Sequence, residues 1–102
     1  MYAFSIDVRQ PVEMYEQILA ALRDAGQDQP PERILHLAVL TDGGFRVTEV
    51  WESHEAVDRY GDEVMRPTIA RIGGADVVAG GPPPNQEFTM LGLQLRGDRV
   101  AP

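Results

Sequence analysis

The sequence predicts an α+β domain in which one antiparallel β-sheet carries two helices. Three observations favour this class. Residues 34–53 have the pattern of a β-hairpin, residues 2–8 alternate as a strand does, and a helical apolar stripe lies on each side of the hairpin along the chain. The chain has no internal repeat at a helical-repeat period, so we expect a single mixed domain rather than a solenoid.

Composition limits the functions that this domain can have. The chain has 102 residues and a net charge of −7, which disfavours nucleic acid and anionic membrane surfaces as partners. It contains no cysteine and no lysine, which excludes thiolate and Schiff-base chemistry. No apolar run approaches the roughly 20 residues of a membrane span, and the N-terminus does not resemble a signal peptide. We therefore expect a cytoplasmic protein.

The first strand and the first helix follow from periodicity and from their end residues. Residues 2–8 alternate between large apolar and smaller or polar side chains, which is the period of a half-buried strand. Pro11 suits the first position of a helix, and Gly26 suits its C-terminal end. An apolar stripe at helical spacing lies between them: Tyr15, Ile18, Leu19 and Leu22.

The hairpin has a countable register if Gly43 and Gly44 form its two-residue loop, because glycine freely adopts the positive φ that such loops require. This count places His36 opposite Trp51, with Glu49 diagonal to His36 on the neighbouring strand. Their face also carries Ala38, Leu40 and Val47, and the opposite face carries Leu35, Leu37, Val39, Thr48 and Val50.

The C-terminal half predicts one more helix and one more strand. Ser53 can cap a helix that kinks or restarts near Pro67. A loop rich in glycine and proline follows at residues 73–86, in which residues 76–79 could form a short strand. Residues 87–95 predict the last strand, so the domain spans residues 1–95 and residues 96–102 form a flexible tail.

This order of elements is the βαββαβ order of the ferredoxin-like fold, a four-stranded antiparallel sheet with two helices on one face. We assign Phe88 and Met90 to the face of His36, and Phe4 and Ile6 to the opposite face. Both faces are then apolar, whereas the helices cover only one. The uncovered face would exceed the apolar patch of an ordinary monomer. We therefore expect a homodimer that pairs sheet to sheet.

The segment HLAVLTDGGFRVTEVWESHEAVDRYGDEVMRP, residues 36–67, resembles a group of small bacterial proteins in the dimeric α/β-barrel superfamily. The group is close to the antibiotic-biosynthesis-monooxygenase-like domains. The most specific part of the resemblance is the junction between hairpin and helix at residues 47–56, and the likeness extends over essentially the whole chain. It implies a dimeric α/β barrel, and it implies cofactor-independent oxygenation of aromatic polyketides as one activity of such proteins.

Haem-degrading members of that superfamily look to depend on an asparagine in the first strand, a tryptophan in the second helix and a downstream histidine. This chain departs from that pattern. Its first strand offers Ser5 and Asp7, its second helix carries Arg59 and Tyr60, and no histidine follows His54. The resemblance therefore does not imply haem, and we expect no cofactor.

The candidate site lies on the face of Trp51. His36 is the candidate general base, and Glu49 is the carboxylate that would orient it. The predicted lining of the pocket consists of Trp51, Tyr60, Ser5, Asp7 and Met90. Three of these residues also have a structural interpretation: His36 as a satisfied histidine at a strand edge or subunit interface, Tyr60 as a core residue and Asp7 as a solvated strand end. The histidines and carboxylates lack the spacing of converging ligands, so we expect no metal site.

Two classes of function follow from these residues. The first is a homodimeric enzyme that oxygenates or isomerises an aromatic or polyketide-like compound, with His36 removing a phenolic or enolic proton and Trp51 stacking on the ring. The second is a non-catalytic module that binds a small hydrophobic ligand or serves assembly. A solvent-accessible cavity beside His36 favours the first, and a filled face favours the second.

Overall fold

The structure is a computed structural model that describes residues 1–73, 85–95 and 98–100. Within this part of the chain, a four-stranded antiparallel sheet has the strand order β2-β3-β1-β4, and β5 and β6 form a separate two-stranded ribbon. The α+β class and the four-stranded antiparallel sheet are confirmed, and the strand order is compatible with a ferredoxin-like fold. The strands are β1 Tyr2–Val8, β2 Arg33–Thr41, β3 Gly44–Trp51, β4 Asn85–Phe88, β5 Leu93–Leu95 and β6 Asp98–Val100, and the helices are α1 Val12–Asp24, α2 His54–Tyr60 and α3 Arg66–Gly73.

Local signals set the ends of α1. Pro11 precedes its first residue in an extended conformation. At the other end Gly26 has a φ of +69°, the left-handed region that glycine adopts at low cost. Its N–H donates to the carbonyl of Arg23, and the N–H of Gln27 donates to the carbonyl of Leu22. These two bonds form a Schellman motif, so the predicted termination at Gly26 is confirmed.

The second helical region begins and restarts where the sequence predicts. Ser53 accepts a hydrogen bond from the backbone N–H of Ala56 through its side chain and so caps α2. A π-helical turn, Gly61–Met65, joins α2 to α3. Pro67 is the second residue of α3, and its ring would crowd the carbonyl four residues earlier in a regular helix. The wider π turn relieves that contact and allows the helix to continue. No helix among the described residues is both long and apolar enough to cross a membrane.

The hairpin register differs from the predicted one by two residues. Thr41 pairs with Gly44, so Asp42 and Gly43 form the loop, and His36 lies opposite Glu49. Gly44 belongs to β3 because β1 passes close to it: a Cβ on Gly44 would lie 2.0 Å from the carbonyl oxygen of Val8. The pairing of His36 with Trp51 was therefore wrong. A shift of two residues nevertheless leaves every side chain on its predicted face of the hairpin.

The predicted parity of β1 was wrong. Phe4 pairs with Glu49 and Ile6 pairs with Val47, so both apolar residues share the face of His36. Ser5 consequently lies on the opposite face, and so does Phe88, which pairs with Ala3 and was wrongly assigned to the face of His36. The register between two strands can be counted from the sequence only where a short loop joins them. No short loop joins β1 to β3, so packing of the core determines the face on which each residue of β1 lies. Phe4 is buried in one cluster with Trp51 and Ala56, and Tyr2, Ile6, Val57 and Tyr60 pack against this cluster.

The last predicted strand is split. β4 pairs with β1 only from Asn85 to Phe88, and β5 begins at Leu93. The reason is that Phe88 already pairs with Ala3, one residue from the start of β1, so the residues after it have no strand to extend along. β5 instead pairs with β6, which lies in the segment predicted as a flexible tail. The possible short strand at residues 76–79 lies outside the described residues.

Candidate functional site

A cavity of about 410 Å³ lies between the sheet and the helices. All four strands of the main sheet and all three helices contribute to it. The predicted stripe of α1 faces this space. Most of its wall is apolar and consists of Phe4, Ile6, Ile18, Leu19, Leu22, Val47, Val57, Met65 and Ile69. Interior apolar surface with a few convergent polar groups is the usual make-up of a small-molecule site.

Five side chains of the wall form a connected polar group that we call the polar cluster: Tyr15, Arg33, His36, Glu49 and Trp51. Tyr15 comes from α1, and the other four come from the paired strands β2 and β3. Because His36 is directly opposite Glu49 in the ladder, their side chains project from the same face at neighbouring positions.

Both ring nitrogens of His36 have partners. Its Nδ1 lies 2.5 Å from Oε2 of Glu49, and its Nε2 lies 2.8 Å from the hydroxyl oxygen of Tyr15. The Tyr15 and His36 rings are nearly parallel, with an angle of 11° between their planes. The imidazole is thus held in one orientation between a carboxylate and a phenol.

Glu49 is a buried carboxylate surrounded by donors. Its side chain is 12% exposed. Its Oε1 accepts the indole N–H of Trp51 at 2.7 Å, and Nη1 of Arg33 lies 3.5 Å from Oε2. Arg33 also donates from Nη2 to the backbone carbonyl of Asp28 at 2.7 Å. The carboxylate of Glu49 pairs with an arginine and accepts hydrogen bonds on both oxygens. Its negative charge is therefore compensated within the protein, as a buried charge requires.

These contacts assign the protons of the neutral imidazole. An ionised carboxylate only accepts hydrogen bonds, so Nδ1 of His36 carries the hydrogen that points at Glu49. Nε2 is then the acceptor, and the hydroxyl of Tyr15 donates to it. The result is a directed chain in which Tyr15 donates to His36 and His36 donates to Glu49. The lone pair at Nε2 of His36 is the group that a general base uses to accept a proton.

Tyr60 forms another part of the cavity wall. Its ring centroid lies 5.4 Å from that of Trp51, and its hydroxyl donates to the backbone carbonyl of Gln27 at 2.6 Å. Burial raises the pKa of Tyr60, and burial likewise raises the pKa of Tyr15. Both phenols therefore remain protonated at neutral pH. They are hydrogen-bond donors within a largely apolar space.

The predicted site residues thus fall into three groups. His36, Glu49, Trp51 and Tyr60 line one cavity. Ser5 and Asp7 do not line it: they lie on the other face of the sheet, where Ser5 is 3.0 Å from the Thr48 hydroxyl and Asp7 pairs with Arg46. Met90 follows β4 and lines neither the cavity nor the shallow depression on the other face that Ser5 and Asp7 line. The wrong parity of β1 accounts for the misplacement of Ser5 and Asp7.

Two members of the polar cluster, Tyr15 and Arg33, are not among the site residues that the sequence predicts. The sequence places Tyr15 in the apolar stripe of α1, where it is the one member with a hydroxyl, and a buried hydroxyl needs a hydrogen-bond partner. Arg33 lies opposite Trp51 because the ladder shifts between Arg33 and Leu35. No sequence signal marks that irregularity.

No group of three or more histidine, aspartate or glutamate side chains that could hold a metal ion occurs within the described part of the chain. Comparison with models of known protein families gives no match for this chain. Comparison with curated proteins gives no significant match either. The functional argument therefore depends on the geometry of the cavity and its polar cluster.

Proposed function

We propose that this chain is a cofactor-independent, monooxygenase-like enzyme that acts on a small aromatic or polyketide-like compound, and that it is a member of the dimeric α/β-barrel superfamily. The observation that carries the proposal is the hydrogen-bonded chain from Tyr15 through His36 to Glu49 in the wall of a largely apolar cavity. Apolar walls suit an aromatic ring, and an oriented imidazole suits removal of a weakly acidic proton.

The reaction needs no bound redox group if the substrate itself supplies the electrons. Removal of a proton from a CH₂ group between phenolic rings gives a carbanion that reduces molecular oxygen. The resulting hydroperoxide loses water, so that the CH₂ becomes C=O, one oxygen atom enters the product and the other leaves as water. Trp51 and Tyr60 would flank the ring, and Glu49 would stabilise the imidazolium form of His36.

The test is oxygen uptake with a dihydroxyanthrone as the substrate probe. The wild-type protein should consume one oxygen molecule for each anthraquinone formed. His36→Gln should lower the rate about a hundredfold or more, since general-base catalysis contributes roughly 10²–10⁴ to a rate. Equal rates in the variant and the wild type would contradict the proposal.

One observation favours a second function, binding without catalysis. Both nitrogens of His36 are already bonded within the chain, and among the described residues no buried side-chain nitrogen or oxygen lacks a partner. A fully satisfied network also serves to hold a cavity in shape. Saturable binding of the dihydroxyanthrone, with no product and no oxygen uptake, would identify this second function.

We further propose a homodimer that forms through the helix-free face of the sheet. Leu37, Val39 and Phe88 lie on this face and are 52%, 42% and 42% exposed. Exposed large apolar side chains therefore lie at both edges of this face, Leu37 and Val39 on β2 and Phe88 on β4, and such a face favours association with a second sheet. An isologous pairing would bury the same residues of both copies.

A further inference from the structure

Tyr15 lies between the ligand cavity and the imidazole of His36. Its hydroxyl oxygen is 2.8 Å from Nε2 of His36, and its side chain also lines the cavity. A ligand that approached Nε2 directly would first have to displace this hydroxyl. The outer end of the hydrogen-bonded chain is therefore a phenol rather than the histidine.

We propose that Tyr15 is the catalytic residue that takes the proton of the substrate, while His36 receives the proton that Tyr15 gives up. This inference rests on the proposed function, since it assigns the group that meets the substrate in the same cavity. In the step, the substrate O–H or C–H bond breaks and a new O–H bond forms on Tyr15. At the same time the original O–H bond of Tyr15 breaks and an N–H bond forms at Nε2 of His36.

The charges of the cluster suit this transfer. The relay starts from a neutral imidazole, and in that state the positive charge of Arg33 compensates the negative charge of Glu49. Afterwards the imidazolium lies against Glu49, and the substrate carries the negative charge. The hydroxyl of Tyr15, restored by the substrate proton, can then donate to that anion. A low-polarity cavity strengthens both interactions relative to water.

The environment of Tyr15 also explains why it acts as a relay rather than as a permanent base. Burial raises the pKa of Tyr15, the charge of Arg33 acts in the opposite direction and the charge of Glu49 raises the pKa further. Its resting form is therefore the neutral phenol. A neutral phenol gives its proton to His36 only as it gains a proton from the substrate. The relay requires that these two proton transfers occur together.

The first test needs no ligand. The chain has two histidines, His36 and His54, so their ring nitrogen chemical shifts can be assigned with His54→Gln. At neutral pH the relay requires a neutral His36 with hydrogen on Nδ1 and an unprotonated Nε2. The shift of Nε2 should change in Tyr15→Phe and should stay unchanged in Tyr2→Phe, whose hydroxyl bonds to Glu87 instead. A hydrogen on Nε2 of the neutral ring would overturn the relay and also the role of His36 as base, so the para-nitrophenol test below separates the two ideas.

The second test uses para-nitrophenol, whose ionised form absorbs at a different wavelength from its neutral form. At a pH where the free compound is mostly protonated, the wild-type protein should produce the phenolate band. Tyr15→Phe and His36→Gln should each lose it by tenfold or more, and Tyr2→Phe should keep it. The methyl ether para-nitroanisole, which has no proton to give, should compete for binding in wild type and in Tyr15→Phe.

The outcomes separate the two ideas. A phenolate band that persists in Tyr15→Phe but disappears in His36→Gln would show that His36 takes the proton directly, which overturns the relay alone. Absence of the band in the wild type would overturn the relay together with proton abstraction as the proposed function.

Discussion

Trp51 donates its indole N–H to Oε1 of Glu49 at 2.7 Å, although the two residues belong to the same strand and are only two positions apart. Trp51 is 1% exposed. The bond therefore links the most deeply buried aromatic ring of the described core to the carboxylate that also holds His36. The core and the candidate site share one residue.

Because of this sharing, neutralising Glu49 should destabilise the fold. In Glu49→Gln the charge that compensates Arg33 is lost, and the side-chain NH₂ group cannot accept from Trp51 or His36. Hydrogen bonds to charged groups contribute about 1.5–3 kcal/mol each, so we expect a loss of about 2 kcal/mol in the free energy of unfolding. Urea denaturation measures it.

The matched control for this change is Glu52→Gln. Glu52 is exposed, and only its backbone N–H takes part in a described hydrogen bond. The free energy of unfolding of the Glu52→Gln protein should stay within about 0.5 kcal/mol of the wild-type value. Equal effects of the two substitutions would contradict the role that we assign to Glu49.

Two glycines should respond in opposite ways to alanine. In Gly44→Ala the new Cβ would lie 2.0 Å from the carbonyl oxygen of Val8, so strands β1 and β3 would have to separate. We expect a loss of at least about 2 kcal/mol. In Gly61→Ala the new Cβ meets nothing within 4 Å, and the backbone there is helical.

Gly61→Ala should therefore stabilise the protein by up to about 1 kcal/mol, because alanine loses less backbone entropy in a helix. Thermal unfolding of both variants beside the wild type gives the comparison. A Gly44→Ala protein as stable as the wild type would disprove the close approach of β1 to Gly44.

Alkaline pH should weaken the fold through its tyrosines. Burial is the main cause that raises the pKa of Tyr2, Tyr15 and Tyr60 above the usual value of 10.0. A raised pKa in the folded state contributes stability that is fully present below pH 10.0 and is lost as the pH rises through the higher folded values. The free energy of unfolding should thus fall above pH 10.0.

Urea unfolding across alkaline pH, with tyrosinate absorbance recorded in parallel, measures this effect. Tyr60→Phe should reduce the slope, since phenylalanine cannot ionise. An ionisation midpoint of the folded protein at or below that of a free tyrosine peptide would contradict the burial of these hydroxyls.

The proposed dimer predicts a specific effect of charge on the helix-free face. In Leu37→Asp the two-fold axis would place two carboxylates in the interface, where an unpaired charge is costly. Sedimentation equilibrium should find a dimer for the wild type and a monomer for the variant. Leu40→Asp is the matched control, because Leu40 is 74% exposed but pairs with Phe45 and so belongs to the opposite face. A dimer that survives Leu37→Asp would exclude this face as the interface.

Features that depend on neighbours along the chain can be predicted from the sequence. These features include the apolar stripe of α1 and its end at Gly26. They also include the cap at Ser53, the restart of the helix near Pro67 and the face of each hairpin residue. Each depends on local periodicity or on the conformational preference of one residue. The proximity of His36 and Glu49 belongs to this group, because a register error of two residues does not change the face.

The way in which these elements pack together depends on contacts between residues far apart in the sequence. Gly44 approaches Val8 closely and belongs to β3, so the hairpin loop lies one position earlier than predicted. The packing of Phe4 against Trp51 and Ala56 determines which face of β1 points inward. The contact between Tyr15 and His36 joins a helix to a strand across 21 positions of the chain. Side-chain patterns repeat only within an element, so they cannot specify a contact between elements, and packing of the core determines which side chains meet.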